Sequence, residues 1–185
     1  MNTARLEISH DCRIDIGAEE LANFILMLPA ERASIRLFDV LARHPAASVR
    51  KAVATSTPLS DEAVALLAKD KTQGVLLELI KNNTASERIA KTAINGWIAG
   101  GNAELISALF DNVAYLPQID VQHFYYNCAE HDDPSIRLQV ALSSETSIER
   151  LEQFLHDGDP TVREAAADTL NTKRANGDEE EDWEK

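Results

Sequence analysis

The sequence predicts an all-α protein whose short helices are arranged as an α-solenoid, a superhelix of stacked repeats. Three observations support this prediction. The segment "HDDPSIRLQVALSSE" at 131–145 is restated at 156–170 as "HDGDPTVREAAADTL". The same pattern of residues occurs at a fixed spacing in an earlier part of the chain, at 44–75. Alanine and leucine are abundant while only 7 glycines and 6 prolines occur, which favours helices.

A β-branched residue sets the register of the repeat. Ile136 and Val162 are 26 residues apart, as are Val49 and Val75, and all but Val75 are followed by arginine. An offset of 87 overlays 44–75 on 131–162 without a gap, and self-similarity at such a period is the signature of a stacked solenoid. Matching positions include His44/His131, Ser56/Ser143, Ser60/Ser147, Glu62/Glu149 and Asp70/Asp157, and upstream Leu37/Phe124 and Leu41/Cys128.

Each repeat is predicted to hold two short helices. Asp133 is a suitable N-cap residue, and Pro134 fits the first helical position, where a missing N–H costs nothing. Ser60 is predicted to cap the second helix of the earlier copy, and Ser144, Thr146 and Ser147 are predicted to start the second helix of the later copy. The residues predicted to face the core are Ile136, Val140, Ala141 or Leu142, then Ile148, Leu151 and Leu155, and in the earlier copy Val64, Leu67 and Ala68.

The repeat arginines permit two interpretations. Asp133 and Arg137, like Asp159 and Arg163, are spaced as i, i+4 pairs in the favourable order, and stacking would bring each arginine near a neighbour's helix ends. The functional alternative is a ladder of arginines that binds phosphate or a partner's carboxylates. We favour the structural interpretation, because the arginines lie beside aspartates in an acidic protein.

The repeats resemble a known family. The stretches "HPAASVRKAVATSTPLSDEAVALLAKD" and "HDDPSIRLQVALSSETSIERLEQFLHDGDPTVREAAADTL" are similar to the leucine-rich repeat variant (LRV), a relative of HEAT repeats, over 35–81 and 122–170. The resemblance implies an α-solenoid that serves as a binding surface. Some LRV proteins carry an N-terminal cysteine cluster for an iron–sulfur centre, but this sequence has only Cys12 in that region, so we expect no cofactor.

The segment 82–120 interrupts the period and is predicted to form one longer, HEAT-sized unit. A helix is expected from about 85 to 99, ended by Gly100-Gly101, with Asn102 capping the next helix. Trp97 on the first of these helices is predicted to pack in the core, with a place on the concave face as the alternative.

The two ends differ from the repeats. Residues 1–17 form a predicted extended arm, because "RLEISHDCRIDI" alternates apolar and polar residues as a strand or small hairpin does. We expect this arm to cap the solenoid of 18–171, with homodimerisation through its strand edge as the alternative. Residues 172–185 are predicted to be a disordered acidic tail with Trp183 as a possible anchor, since six acids lie within 178–184.

Charge and composition exclude several classes of function. The net charge of −13 repels nucleic acids and anionic lipids, so neither is an expected partner. The longest apolar run, "FILMLPA", is too short to span a bilayer, and two cysteines without a pairing pattern fit the cytoplasm. No nucleophile, phosphate-loop or metalloprotease motif occurs, so no enzyme is predicted. His123, Asn127 and Glu130 share a helical face, but their spacing is weak evidence for a metal, and none is predicted.

These expectations lead to a non-enzymatic scaffold or adaptor that binds another protein on the concave face of the solenoid. One alternative is an acidic inhibitor or immunity-type protein that blocks a basic, nucleic-acid-binding enzyme. Another is a lyase-type HEAT protein for cofactor or chromophore attachment, suggested by the last repeat. A monomer or a homodimer through the arm is expected. The candidate partner-binding residues are Trp97, His123, Tyr126, Arg137, Arg163 and Trp183.

Overall fold

The computed structural model describes residues 4–9 and 12–176, with side chains from residue 15 to residue 176. The described chain is mostly helical, which confirms the all-α prediction, while the solenoid arrangement of the repeats stays a prediction. Its helices are α1 (Ala18–Leu26), α2 (Ile35–Leu41), α3 (Ala47–Thr55), α4 (Asp61–Leu67), α5 (Gln73–Lys81), α6 (Asn83–Ser86), α7 (Lys91–Ala99), α8 (Ala103–Asp111), α9 (Val121–Ala129), α10 (Pro134–Leu142), α11 (Ile148–Phe154) and α12 (Pro160–Asn176).

The alternating N-terminal segment is a β-hairpin. Strand β1 (Ala4–Ser9) pairs antiparallel with β2 (Cys12–Ile16), and Leu6 lies opposite Ile14 in the register. An irregularity between Glu7 and Ser9 shifts the register near the end of β1. Among the described residues no third strand joins this sheet. The period-two pattern therefore predicted extended backbone correctly, and each strand pairs along one edge with the other.

The chain divides into two compact units, residues 1–119 and 120–185. In the first unit α3 is central, since α1 packs on one side of it and α5 on the other, and α5 in turn contacts α8. Its core includes Ile25, Phe38, Val53, Val64 and Leu79, all at most 1% exposed. Within single helices the buried residues recur four positions apart, as Leu21 and Ile25, Val49 and Val53, and Val75 and Leu79 do, which is the period of one helical face.

The second unit is built around the last helix. Helix α12 packs against both α10 and α11, and α9 lies against α10. The core of this unit is formed by Phe124, Ile136, Leu151, Phe154 and Val162. Burial of one such side chain contributes roughly 1.5–3 kcal/mol to the free energy of folding. These five side chains therefore supply much of the apolar stabilisation of the four helices.

The residues that define the repeat register are all in the core. Val49, Val75, Ile136 and Val162 are each 0% exposed. The predicted caps are also present: Asp133 accepts from the Ser135 amide at 2.9 Å, and the Ser60 and Ser147 hydroxyls accept from the third residue of their helices. The repeat is therefore a structural unit and not only a sequence pattern.

Some inward positions were assigned wrongly from the sequence. Leu155 was predicted to face the core but is 36% exposed, and Phe154 is buried instead. Of the alternatives Ala141 and Leu142, Ala141 is buried and Leu142 is 61% exposed. Leu37 is 39% exposed although its counterpart Phe124 is buried. These helices have only seven to nine residues, so a rotation of one position changes which apolar side chain is covered.

The predicted single helix from 85 to 99 is wrong. Two helices, α6 and α7, replace it, with a break at 87–90. The Gln118 side-chain amide donates to the carbonyls of Ser86 and Ile89, at 2.9 Å each. These bonds supply donors to carbonyls that the break leaves without an intrahelical partner. They offset the free-energy cost of interrupting the helix. With this break, the described residues contain twelve α-helices.

Helix ends after the break follow the predictions more closely. Helix α7 ends at Ala99, and Gly101 has a φ of 64°, a conformation that glycine adopts without a steric penalty. The Asn102 side chain caps α8 by accepting from the Leu105 amide at 3.1 Å. At the other end α12 continues to Asn176, so the predicted domain boundary at 172 lies within a helix. The acidic segment 178–184 lies outside the described residues.

None of the described helices combines the length and the apolar character that crossing a membrane requires.

Candidate functional site

Each unit contains the same arginine-centred contact, here called the arginine clip. In the first unit Arg50 donates from Nε and Nη2 to the two carboxylate oxygens of Asp70, at 2.5 and 3.1 Å. Its Nη1 donates to the carbonyls of His44 and Pro45, at 2.8 and 2.9 Å. The clip is defined by an arginine, the aspartate twenty residues later and two carbonyls five and six residues earlier.

The clip of the second unit has the same donors and acceptors. Arg137 donates from Nε and Nη2 to Asp157, at 2.8 and 2.9 Å, and from Nη1 to the carbonyls of His131 and Asp132, at 2.7 and 3.0 Å. The Arg137 and Asp157 side chains are only 18% and 9% exposed. Planar two-bond pairing of this kind is specific to arginine, because lysine offers a point charge rather than a fork.

The clip aspartates also shape the turns in which they lie. Asp70 and Asp157 each accept from the amide two residues later, at 2.8 Å. Hydrogen bonding to Arg137 is the main cause that lowers the pKa of Asp157, with the Asp159 amide adding to it. For Asp70, burial opposes ionisation, but bonds from Arg50 and Thr72 outweigh it and the pKa is also lowered. Both carboxylates are therefore stabilised in the charged form.

The aligned histidines are part of the same arrangement. Nδ1 of His44 accepts from the Ala46 amide at 3.1 Å, and Nδ1 of His131 accepts from the Asp133 amide at 3.0 Å. An acceptor nitrogen carries no proton, so each neutral ring has its hydrogen on Nε2. His131 thus belongs to the turn that precedes α10 and supports the clip.

The sequence interpretation assigned the wrong aspartate to each arginine. Asp133 was predicted as the i, i+4 partner of Arg137, yet Asp157 receives the two guanidinium bonds and Asp133 caps α10. Asp159 likewise caps α12 through the Thr161 amide at 2.8 Å instead of pairing with Arg163. Arg137 and Arg163 instead donate to carbonyls of the turn that precedes their own helices.

The second unit also contains a cleft lined mainly by residues of α9 and α11. Its volume is about 640 Å³, within the usual range for ligand sites. Val140 and Thr146 are buried in it, and the Thr146 hydroxyl is occupied by a bond to the Val140 carbonyl at 2.5 Å. The residues that line the cleft are Asp120, Gln122, His123, Tyr125, Tyr126, Val140, Glu145, Thr146, Ser147, Glu149, Arg150 and Gln153.

Two tyrosines give the cleft its aromatic surface. Tyr125 packs edge-to-face on Phe124, with ring centroids 5.9 Å apart, and its hydroxyl accepts from Ser143 at 3.0 Å. Tyr126 is 59% exposed, and the Arg150 guanidinium lies 5.3 Å from its ring centroid. Arg150 is in turn paired with Glu130 at 2.5 Å. The cleft therefore contains the exposed ring of Tyr126, and the Arg150 guanidinium lies against one side of it.

The position in the first unit that corresponds to Tyr126 makes different contacts. Asp39 occupies the position of Tyr126, and its carboxylate accepts a hydrogen bond from the Ser60 hydroxyl. Arg43 and Glu62 form an ion pair at 2.6 Å across the same helices. Polar contacts thus join α2 and α4, whereas in the second unit an aromatic residue is presented at the corresponding position.

The structure brings together some of the predicted site residues. His123 and Tyr126 line the cleft. Arg137 is occupied by the clip, which supports the structural interpretation of that residue, and Trp97 on α7 is half-buried in the first unit. Trp183 lies outside the described residues. Sequence reasoning missed Tyr125 and Arg150, and the doubled aromatic in "HFYYN" was the available signal for the first.

Helix α9 also carries the thiol of Cys128. Cys128 is 1% exposed, and burial raises the pKa of its thiol to about 12, so it is not a thiolate at neutral pH. Within the described part of the chain no three His, Cys, Asp or Glu side chains are grouped closely enough to hold a metal ion.

Comparison of the chain with protein-family models, with curated proteins and with solved structures gives no match.

Proposed function

We propose that the protein is a non-enzymatic scaffold or adaptor, an α-solenoid of LRV/HEAT-like repeats that binds another protein. The cleft of the second unit supports this proposal most directly. The two units share an internal clip but differ at one surface position, where Asp39 is bonded to Ser60 and Tyr126 is exposed in a cleft. A shared framework with a changed surface is how repeat proteins acquire a binding site.

The chemistry of the cleft favours a basic partner segment. Asp120, Glu145 and Glu149 line it, while Arg150 is its only arginine or lysine and is already paired with Glu130. An exposed tyrosine beside carboxylates binds a lysine or arginine side chain through both the ring face and the charge. We therefore propose a lysine- or arginine-bearing segment as the ligand of this cleft.

The second candidate function is an acidic inhibitor of a basic, nucleic-acid-binding protein. The net charge of −13 favours it, because such a field accelerates association with a basic surface. The two candidates differ in salt sensitivity. A partner held mainly by long-range charge dissociates between about 50 mM and 300 mM salt, since the screening length is about 10 Å at 0.1 M.

The test is direct binding of a short synthetic peptide of alternating lysine and alanine, measured by fluorescence anisotropy. The variant Tyr126→Ser should weaken binding about tenfold, because loss of a cation–π contact costs roughly 0.5–2 kcal/mol. Tyr115→Ser is the matched control, since Tyr115 is 44% exposed and lies outside the cleft.

Two double variants that remove the same charge distinguish binding in the cleft from attraction to the overall negative charge of the protein. Glu145→Gln with Glu149→Gln should weaken binding severalfold, whereas Glu164→Gln with Asp168→Asn removes the same charge from exposed positions of α12 outside the cleft. Equal effects from the two pairs would favour the acidic-inhibitor function. Unchanged binding in Tyr126→Ser and in the cleft pair would place the binding surface elsewhere.

A further inference from the structure

The last repeat contains an arginine clip that is only half filled. Arg163 donates from Nη1 to the carbonyls of Asp157 and Gly158, at 2.7 and 3.2 Å. These bonds reproduce those of Arg137 to His131 and Asp132, six and five residues earlier in the chain. The carbonyl half of the third clip therefore has the geometry of the two complete clips.

The carboxylate half of this clip has no occupant in the part of the chain that the structure describes. Nε and Nη2 of Arg50 and Arg137 bind the aspartate twenty residues later, but neither atom of Arg163 has a hydrogen-bond partner among the described residues. The residue twenty positions after Arg163 is Trp183, which offers no carboxylate.

The helix that follows Arg163 explains why the pattern stops. In the complete clips the first helix ends after nine residues, and a second helix leads the chain back to the aspartate. Helix α12 instead has 17 residues, running from Pro160 to Asn176. The chain leaves Arg163 along this helix for about 20 Å at 1.5 Å per residue, so a repeat aspartate cannot return by the same path.

The two aspartates of the turn that precedes Arg163 already accept other hydrogen bonds. Asp157 receives both bonds from Arg137, and the Oδ1 of Asp159 accepts from the amide and the hydroxyl of Thr161. Among the described residues neither carboxylate accepts a hydrogen bond from Nε or Nη2 of Arg163. An oriented guanidinium edge with two free donors favours a carboxylate in the two-bond arrangement.

We propose that Nε and Nη2 of Arg163 form a binding site for the carboxylate of an aspartate or glutamate side chain from outside the described repeats. Two sources have this chemistry. One is the acidic segment 178–184 of this chain, which holds six aspartates and glutamates. The other is an acidic side chain of a second protein. The proposal is independent of the cleft, since Arg163 is not among its lining residues.

The experiment is heteronuclear NMR of the arginine Nε–Hε groups in the full chain and in a variant that ends at Asn176. Arg50 and Arg137 are internal references for a carboxylate-bound Nε–H, which exchanges slowly with water. We expect a reference-like signal from Arg163 in the full chain if the acidic segment fills the site, and loss of this signal in the shortened variant.

If the full chain shows an open Arg163, sodium acetate and a short glutamate peptide are titrated into both proteins. Saturable movement of the Arg163 signal toward the references would assign the site to an external carboxylate. Arg163→Lys is the control, because it keeps the charge but removes the fork, and acetate should then protect the protein several times less against thermal unfolding.

The proposal is overturned if the Arg163 Nε–H exchanges rapidly in both proteins and does not respond to acetate or to the peptide while Arg137 stays protected. It is also overturned if Arg163→Lys responds to acetate as the unmodified protein does. The first result would show that Nε and Nη2 of Arg163 bind no carboxylate. The second would show that acetate acts through the positive charge alone.

Discussion

Arg137 and Asp157, twenty residues apart, form a bidentate ion pair that joins consecutive repeats. The Asp157 carboxylate receives Arg137, and the Asp157 carbonyl receives Nη1 of the next arginine, Arg163. One aspartate thus links two successive arginines that lie 26 positions apart in the sequence. This contact gives the period a physical cause, because a change in repeat length would move the carboxylate away from the fork. In the first unit the series is interrupted, since Leu76 stands where the next arginine would be.

Loss of the Asp157 carboxylate should destabilise the second unit strongly. Asp157→Asn leaves Arg137 largely buried without its counter-charge, and breaking such a pair costs about 2–4 kcal/mol of unfolding free energy. Urea unfolding followed by circular dichroism measures the change. Asp132→Asn is the control, because Asp132 is exposed and its carbonyl, not its side chain, serves the clip. A loss below about 0.5 kcal/mol for Asp157→Asn, the range of ordinary surface changes, would contradict a structural role.

Stability should fall in acid because the clip aspartates are favoured in their charged form. The pKa values of Asp70 and Asp157 are lowered in the folded protein from the ordinary value of 3.8. A lowered folded pKa contributes stability that is present above the unfolded pKa and lost as the pH falls through the folded pKa. We therefore expect urea midpoints that are steady above about pH 5 and decline below about pH 4.

The same titration identifies the residues responsible. Asp157→Asn and Asp70→Asn, each with one clip carboxylate removed, should show a shallower decline in acid than the unmodified protein. An acid dependence in both variants equal to that of the unmodified protein would assign it to other carboxylates, such as the N-cap residue Asp159, whose pKa is lowered chiefly by its bond from the Thr161 hydroxyl.

Asn82 should contribute more to stability than an ordinary helix cap. Its Nδ2 donates to the carbonyls of Ala54 and Ser56, at 2.9 Å each, and its Oδ1 accepts from the Ala85 amide at 3.3 Å. Asn82→Ala leaves two carbonyls and one amide without these partners at an 8% exposed position, at a cost of about 2–4 kcal/mol. Asn102→Ala is the matched control, since it removes chiefly the cap of α8 and should cost about 1 kcal/mol. Equal losses in thermal or urea unfolding would mean that the contacts of Asn82 to α3 add nothing to its capping role.

The clip could have been found in the sequence, and the reason it was missed is physical. Arg50 overlays Arg137 and Asp70 overlays Asp157, so both partners were visible at the same separation in the two copies. The i, i+4 spacing of Asp133 and Arg137 favoured a local ion pair. The Asp133 carboxylate instead satisfies an amide at the start of α10, which otherwise has no intrahelical partner.

The cleft was less accessible to sequence reasoning. The positions of Tyr126 and Arg150 are occupied by Asp39 and Ala63 in the first copy, so the repeat carries no information about them. The break between α6 and α7 was hidden for a related reason. It depends on Gln118, which is about thirty positions later in the sequence and reaches the carbonyls of Ser86 and Ile89 only in the folded chain.

Cys128 should be unreactive in the folded protein. Its side chain is 1% exposed, and burial raises the pKa of the thiol to about 12, so about one thiol in ten thousand is ionised at pH 8. In a Cys12→Ser variant, iodoacetamide should leave Cys128 unmodified under native conditions and modify it fully in urea, as followed by mass spectrometry. The unfolded sample controls for reagent activity, and Asp157→Asn should raise the native labelling rate by increasing the population of open second unit. Rapid labelling of the native protein would show that the core of α9 is open to solvent, and a nucleophilic or metal-binding role for this thiol would then have to be considered again.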